Sequence, residues 1–301
     1  MSYSRRQNQS YNRSSHQRQP RRSNLSGFKL RLIIAGAIVL FSVVTFYSKG
    51  QINPVTGEKQ RVDMSVENEI AVGLRAVPEM GPESMNRQAN GHVDQIGDKL
   101  VSALDRVLYA QGVEIPYPFE FHLLADKRTV NAFALPGGQV FITEALYRRL
   151  DRDSQSAFDG RLAGVLGHEI GHVLERHGSQ RMAKGNLLGG IVGAVGVAGS
   201  NGDVYSGRAA AQLASYVGNL VNMKYGRDDE LASDRWGVEL MTLAGYNPER
   251  MIEVMDVLEE SSGGGAPPEF MSTHPRPANR REYIEQIIKE KFPNGIPDGL
   301  Q

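Results

Sequence analysis

The stretch Val165-Leu166-Gly167-His168-Glu169-Ile170-Gly171-His172 places an H-E-x-x-H pattern in an apolar run. Leu162, Val165, Leu166, Ile170, Val173 and Leu174 nearly encircle it at helical spacing, which predicts a buried helix from about 159 to 177, closed by Gly178. On that helix His168 and His172 lie about 40° apart and one turn apart in height, so both imidazoles can reach one ion. Glu169 lies about 60° from His172, beside the ion rather than on it, where its carboxylate can take a proton from water. Two histidines and a glutamate inside a core need a partner, and a metal supplies one.

The chain contains no cysteine, which excludes thiolate zinc sites, iron-sulfur clusters, cysteine nucleophiles and disulfide scaffolds. A catalytic metal therefore needs a third ligand from His, Asp or Glu. Position 178, six residues after His172, is glycine, so a third histidine at that spacing is missing. On an unbroken helix His177 falls on the face opposite His168, and it reads as a C-terminal charge favoured by the helix dipole. Among the later acids, Glu230 and Asp234 lie four residues apart on one helical face. Glu230 can then bind the ion while Asp234 accepts the N–H of a ligating histidine. Spacing alone leaves a second reading open, in which Asp228, Asp229 and Glu230 simply complement a helix N-terminus.

Around this centre the pattern is mostly helical. Amphipathic or capped segments are predicted over about 65–77, 93–110, 144–150, 228–243, 248–260 (opened by Asn247-Pro248) and 280–292. Residues 119–124 alternate like a strand, and 130–143 read as two short strands joined by Pro136-Gly137-Gly138. Proline confines the first of these two to a sheet edge, and an open edge can accept an extended peptide. No β-α-β alternation or repeat occurs, so the expected class is mainly α with a small β-sheet. Residues 261–268 form a Gly/Pro loop. Residues 187–198 are apolar and glycine-laced but too short to span a bilayer, and read as a flexible or close-packed segment, with a membrane-dipping loop as the alternative.

The 301 residues carry 34 basic and 34 acidic groups, but the balance is uneven. Residues 1–31 hold eight basic groups and no acidic one, which leaves the remainder at −8. Residues 1–27 are too polar to fold and are expected to be a disordered tail. From Leu32 to Tyr47 no charge interrupts an apolar run, so 28–48 are expected to be a single transmembrane anchor, with a cleaved signal peptide as the alternative. The positive-inside rule then puts the tail in the cytoplasm and the body outside it, on a bacterial inner membrane facing the periplasm. No nucleic-acid partner is expected, because the arginines are accounted for by topology. Residues 49–61 read as a polar linker and 62–301 as the catalytic domain.

Taken together and in chain order, Asn131-Ala132-Phe133-Ala134-Leu135-Pro136-Gly137-Gly138, the H-E-x-x-H segment, Asp229-Glu230-Leu231-Ala232-Ser233-Asp234, and Thr273-His274-Pro275 through Arg280 resemble the HtpX-like and CAAX-prenyl-protease-type zinc metallopeptidases, peptidase family M48. The resemblance covers about residues 62–290. It implies a gluzincin fold with one zinc ion per chain, held by His168, His172 and Glu230. It implies Glu169 as general base, Asp234 as the residue that orients a ligand, and a closing motif containing His274 and Arg280, either of which can stabilise the oxyanion or serve structurally. It further implies that residues 131–134 (Asn131, Ala132, Phe133 and Ala134) bind substrate as an edge beside the cleft. Membrane-bound and periplasmic members act on unfolded or misfolded envelope proteins, which are the expected substrates here. Prenyl-protein processing belongs to multi-spanning relatives, and the single span argues against it. Two rival readings are a chaperone or binding module with little proteolysis, and an autoinhibited enzyme in which His274 fills the open metal position.

Overall fold

The computed structural model describes residues 25–199, 224–261, 268–274 and 279–301. Of the tail expected over residues 1–27, residues 1–24 lie outside these and the last three belong to a helix instead; most of the 261–268 loop also lies outside. Helix α1 (Leu25–Ser48) contains an apolar stretch, Gly27–Ser48, long enough to cross a membrane, with mean hydropathy 2.2. The following residues, expected as a linker, are instead folded onto the body. Strands β1 (Gln51–Ile52) and β2 (Lys59–Gln60) pair antiparallel. Between them the buried Asn53 donates to the Leu174 carbonyl at 2.7 Å and accepts from Val55 N–H at 2.8 Å. Polar bonds rather than apolar content fix this segment, which is why its composition reads as a linker.

Helix α2 (Val66–Ala76) starts at Ser65, whose hydroxyl accepts from the Asn68 N–H. Helix α3 (Arg87–Ala110) begins earlier than the apolar periodicity indicates, because Asn86 caps a polar first turn by accepting from the Ala89 N–H. Strands β3 (Glu120–Leu124), β4 (Ala132–Leu135) and β5 (Gln139–Thr143) form a sheet of order β3-β5-β4, with β3 parallel and β4 antiparallel to β5. β4 lies at one edge of the sheet, with Pro136 just beyond its end in the turn. The β4–β5 turn uses Gly137 and Gly138 at φ 90° and 106°, and a Cβ on Gly137 would sit 2.4 Å from Ile70 Cα.

Helix α4 (Glu144–Leu150) leads to α5 (Gln155–Leu174), the central helix, buried along nearly its whole length. It packs most extensively against α7 (Arg227–Leu243), and also against α3, β4 and α8 (Arg250–Glu260). Glycines bring α5 and α7 together: a Cβ on Gly167 would lie 3.2 Å from Gly237 Cα, and one on Gly171 3.0 Å from Ser233 Cα. That close approach lets acids of α7 reach histidines of α5. Asn247-Pro248 forms a hydrogen-bonded turn before α8, which therefore starts later than expected. A short α9 (Glu269–Thr273) and α10 (Arg280–Lys291) complete the body.

One prediction about α5 is corrected. It does not run to 177: Arg176 adopts φ 54°, and α6 (His177–Gly199) starts immediately after. A left-handed arginine is costly, and here long-range bonds hold it. The Arg176 guanidinium donates to Glu69 Oε1 at 2.7 and 2.9 Å, to Gln51 Oε1 and to the Met64 carbonyl.

Candidate active site

His168 and His172 project from α5, Glu230 from the first turn of α7, and His274 from the residue that ends α9. All four are buried, and one ligand atom from each lies within 4.8 Å of the others. The Nε2 atoms of His168 and His172 are 3.1 Å apart. They face Glu230 Oε2 and Oε1 at 3.6 and 3.5 Å respectively. Neither Glu230 oxygen has a hydrogen-bond partner in the structure. Two imidazole nitrogens and a buried carboxylate converging at this spacing form a donor set that suits a cation.

The outward-facing atoms are all engaged. His168 Nδ1 meets Asp234 Oδ1 at 2.9 Å, which fixes the tautomer that leaves Nε2 with a free lone pair. Arg280 donates from Nε to Asp234 Oδ2 and from Nη2 to Oδ1, both at 2.6 Å, and its Nη1 lies 3.2 Å from Glu230 Oε2. Arg280 is thus a buried clasp on both acids. Burial alone would raise Asp234, but Arg280 and His168 outweigh it and hold its carboxyl below the ordinary range.

His177 is where the expectation fails. Because α5 breaks at Arg176, His177 is not on the opposite face. Its Nδ1 lies 2.9 Å from His172 Nδ1, on the ring edge that corresponds to the one Asp234 meets on His168. Nor is it a charged helix terminus: burial lowers its pKa to about 4, against the pull of Asp229. Tyr225, just before α7, stacks on the His172 ring at 3.8 Å between centroids. No periodicity or motif marks Tyr225, and the side that His177 faces depends on a helix break no local signal announces.

Glu169 is fully buried, and neither carboxylate oxygen has a well-formed hydrogen bond. Burial pushes its pKa up to about 8, with Arg280 and the nearby Ala134 N–H opposing. Glu230 is raised well above the ordinary value by burial, again opposed by Arg280. Burial lowers His168, and lowers His172 and His274 further. In the metal-free protein burial thus favours the protonated forms of Glu169 and Glu230 and the neutral forms of the three imidazoles. Binding a dication must expel protons, so affinity rises with pH until these acids ionise unaided. Calorimetric zinc titrations at pH 7 in buffers of different ionisation enthalpy are expected to reveal net proton release; no release would contradict this assignment.

His274 sits beside these groups. Its Nδ1 faces the Phe270 carbonyl at 3.2 Å and Thr273 Oγ1 at 3.0 Å. Its unpartnered Nε2 lies 3.5 Å from Glu169 Oε1. Residues 131–134 lie on or next to edge strand β4, are buried, and leave Asn131 Oδ1 unpaired. The Phe270 N–H donates to the Val130 carbonyl at 3.2 Å, joining α9 to the start of that edge. A small apolar pocket of about 20 Å³ adjoins His168 and His274, with Val165, Met251, Val254, Met255 and Phe270 among its lining.

The donor set, two imidazole Nε2 atoms and a carboxylate, fits a catalytic zinc centre. Comparison with known proteins points to a metal-dependent peptidase. Residues 88–288 match the model of Peptidase family M48. The chain is 27% identical over 236 residues to the beta-barrel assembly-enhancing protease of Yersinia pestis, covering 75% of this chain and 45% of that protein. It is 28% identical over 262 residues to the mitochondrial metalloendopeptidase OMA1 of Schizosaccharomyces pombe, covering 85% and 72%. Identity to the metalloprotease YcaL of Escherichia coli is 26% over 217 residues, covering 71% and 79%. The chain thus spans less than half the length of its beta-barrel assembly-enhancing relative. With the family model spanning the helix that bears both histidines, the acids opposite them and the arginine that clasps those acids, this chain belongs to peptidase family M48.

Proposed function

We propose that the protein is a zinc-dependent endopeptidase that cleaves unfolded or misfolded envelope proteins. One observation carries the reading: the Nε2 atoms of His168 and His172 and the Glu230 carboxylate converge beside Glu169, whose oxygens have no hydrogen-bond partner. His168, His172 and Glu230 would hold one zinc ion, which supplies Lewis acidity and makes water a nucleophile near neutral pH. Asp234 and His177 orient the two imidazoles, and Arg280 keeps Asp234 and Glu230 in place. Glu169 takes a proton from the attacking water and delivers it to the leaving amine. A substrate strand lies along residues 131–134 and is held mainly through its main chain.

The envelope reading draws on the beta-barrel assembly-enhancing relatives and on this chain's own charge pattern. Helix α1 is a single-pass anchor in the inner membrane, with the basic tail in the cytoplasm and the catalytic body in the periplasm.

A second reading concerns the resting state. The bare Nε2 of His274 joins the other three ligand atoms, so it can fill the position a water needs, and α9 meanwhile covers the start of the substrate edge. The enzyme then rests inhibited until α9 withdraws. Zinc-loaded protein carrying His274→Ala is expected to cleave casein faster than wild type, with chelator abolishing both activities. Slower cleavage by this variant would return His274 to an oxyanion-stabilising role. Cleavage that survives complete zinc removal would overturn the metallopeptidase mechanism itself.

A further inference from the structure

Helices α1 and α6 pack along one another, although only α1 is long and apolar enough to cross a membrane among the described residues. Each changes character at one level. Helix α1 is apolar up to Ser48 and is followed by Lys49, while α6 is polar from His177 to Asn186 and carries no charge from 187 to 199. Asp63 joins the two boundaries: its carboxylate pairs with Lys49 Nζ at 3.2 Å and accepts from Asn186 Nδ2 at 2.9 Å. At the same height Arg61 lies 4.9 Å from the Tyr47 ring centre and 5.9 Å from that of Phe46. Aromatic rings, basic groups and a polar cross-link at one level mark a bilayer surface.

Because α6 leaves the body at the end where α1 enters it, the two run antiparallel away from the metal site. Leu188 is 62% exposed, beside a helix whose Leu40 and Phe41 are 64% and 73% exposed. Exposed apolar side chains on adjacent helices are costly in water and favourable in lipid.

We propose that residues 187–199 of α6 enter the bilayer beside α1, making the lipid hydrocarbon the partner of a second, re-entrant helix. The proposal rests on the reading of α1 as a membrane anchor. Thirteen residues rise roughly 20 Å, short of the ~30 Å hydrocarbon core, so this helix dips without crossing. Up to its last turn its backbone bonds are closed within the helix, as lipid requires. The same α6 begins at His177, which touches His172, so one element ties the bilayer to a metal ligand. From His177 to the boundary at Asn186 the rise is roughly 14 Å, which seats the site close above the membrane and favours chain segments near its surface.

The absence of cysteine permits a direct test on the full chain in membranes. Single variants Lys184→Cys, Leu188→Cys, Val192→Cys and Leu40→Cys are treated with a charged, membrane-impermeant maleimide, before and after the bilayer is dissolved in detergent. Lys184 and Leu188 are both exposed in the structure, so in water they label alike. Lipid suppresses both reagent access and thiolate formation. The expected result is labelling at positions 188, 192 and 40 that is at least ~10-fold slower than at 184, and equal after detergent at 188 and 40. Fast labelling at 188 and 192 with protection at 40 overturns the dipping helix and leaves the anchor standing. Fast labelling at 40 overturns the anchor and the dipping helix together. Protection at 188 that persists in detergent means a protein covers it, which also overturns the proposal.

Discussion

Replacing Glu169 by Gln is expected to leave zinc content unchanged and to lower casein cleavage about 10²–10⁴-fold, the usual contribution of a positioned general base. Glutamine keeps the shape of the side chain but cannot accept and return a proton. The carboxylate is fully buried and without a well-formed hydrogen bond, so it has no evident structural duty that the amide would disrupt. Its pKa, raised to about 8 in the metal-free protein by burial, marks a group whose charged form waits for a cation nearby. Metal analysis and single-turnover cleavage on the same preparation check the prediction. A Glu169→Gln protein with full zinc and wild-type rate would remove Glu169 from the mechanism.

Replacing Arg280 by Met is expected to destabilise the metal-free protein by about 3–5 kcal/mol, the cost of removing one partner from a buried ion pair. Arg280 is 5% exposed and bonds Asp234 with two parallel N–H donors while its third nitrogen approaches Glu230. Without it Asp234 keeps only His168 as a partner. The carboxyl then moves up in pKa, and it holds His168 less firmly. Zinc affinity is therefore expected to fall about 10–100-fold, as for other groups that orient a metal ligand. Arg280→Lys is expected to rescue little, because an ammonium cannot reproduce the two-pronged contact. Denaturant unfolding with and without zinc, together with zinc titration, measures both effects. If Arg280→Met unfolds at the wild-type midpoint, the clasp contributes nothing and the assignment fails.

Much of this site was legible one helix at a time. The four-residue spacing of His168 and His172, and of Glu230 and Asp234, is a local property of an α-helix and survives into the structure with both pairs facing inward. The β4–β5 hairpin was legible for a similar reason, since Pro136, Gly137 and Gly138 restrict their own backbone. Residues 49–61 were misread because their order comes from Asn53, whose partner Leu174 lies on the far end of α5. His177 was misplaced because the break before it depends on Arg176, held left-handed by Glu69, 107 residues earlier. Tyr225 had no signature, since stacking on His172 is a property of the assembled fold.

By itself the sequence determined that a metal, if bound, must use His, Asp and Glu, that α5 presents two imidazoles on one buried face, and that an apolar helix separates a basic tail from an acidic body. These follow from composition and helical period, which need no partner. Only the tertiary structure decided that α7 approaches α5 closely enough for Glu230 and Asp234 to serve those imidazoles, an approach made by Gly167, Gly171 and Gly237. It likewise decided that His274 joins the ligand atoms, and that α6 carries His177 at one end and lies along α1 at the other. Those relations join residues far apart in the chain through packing and buried charge, which no local spacing encodes.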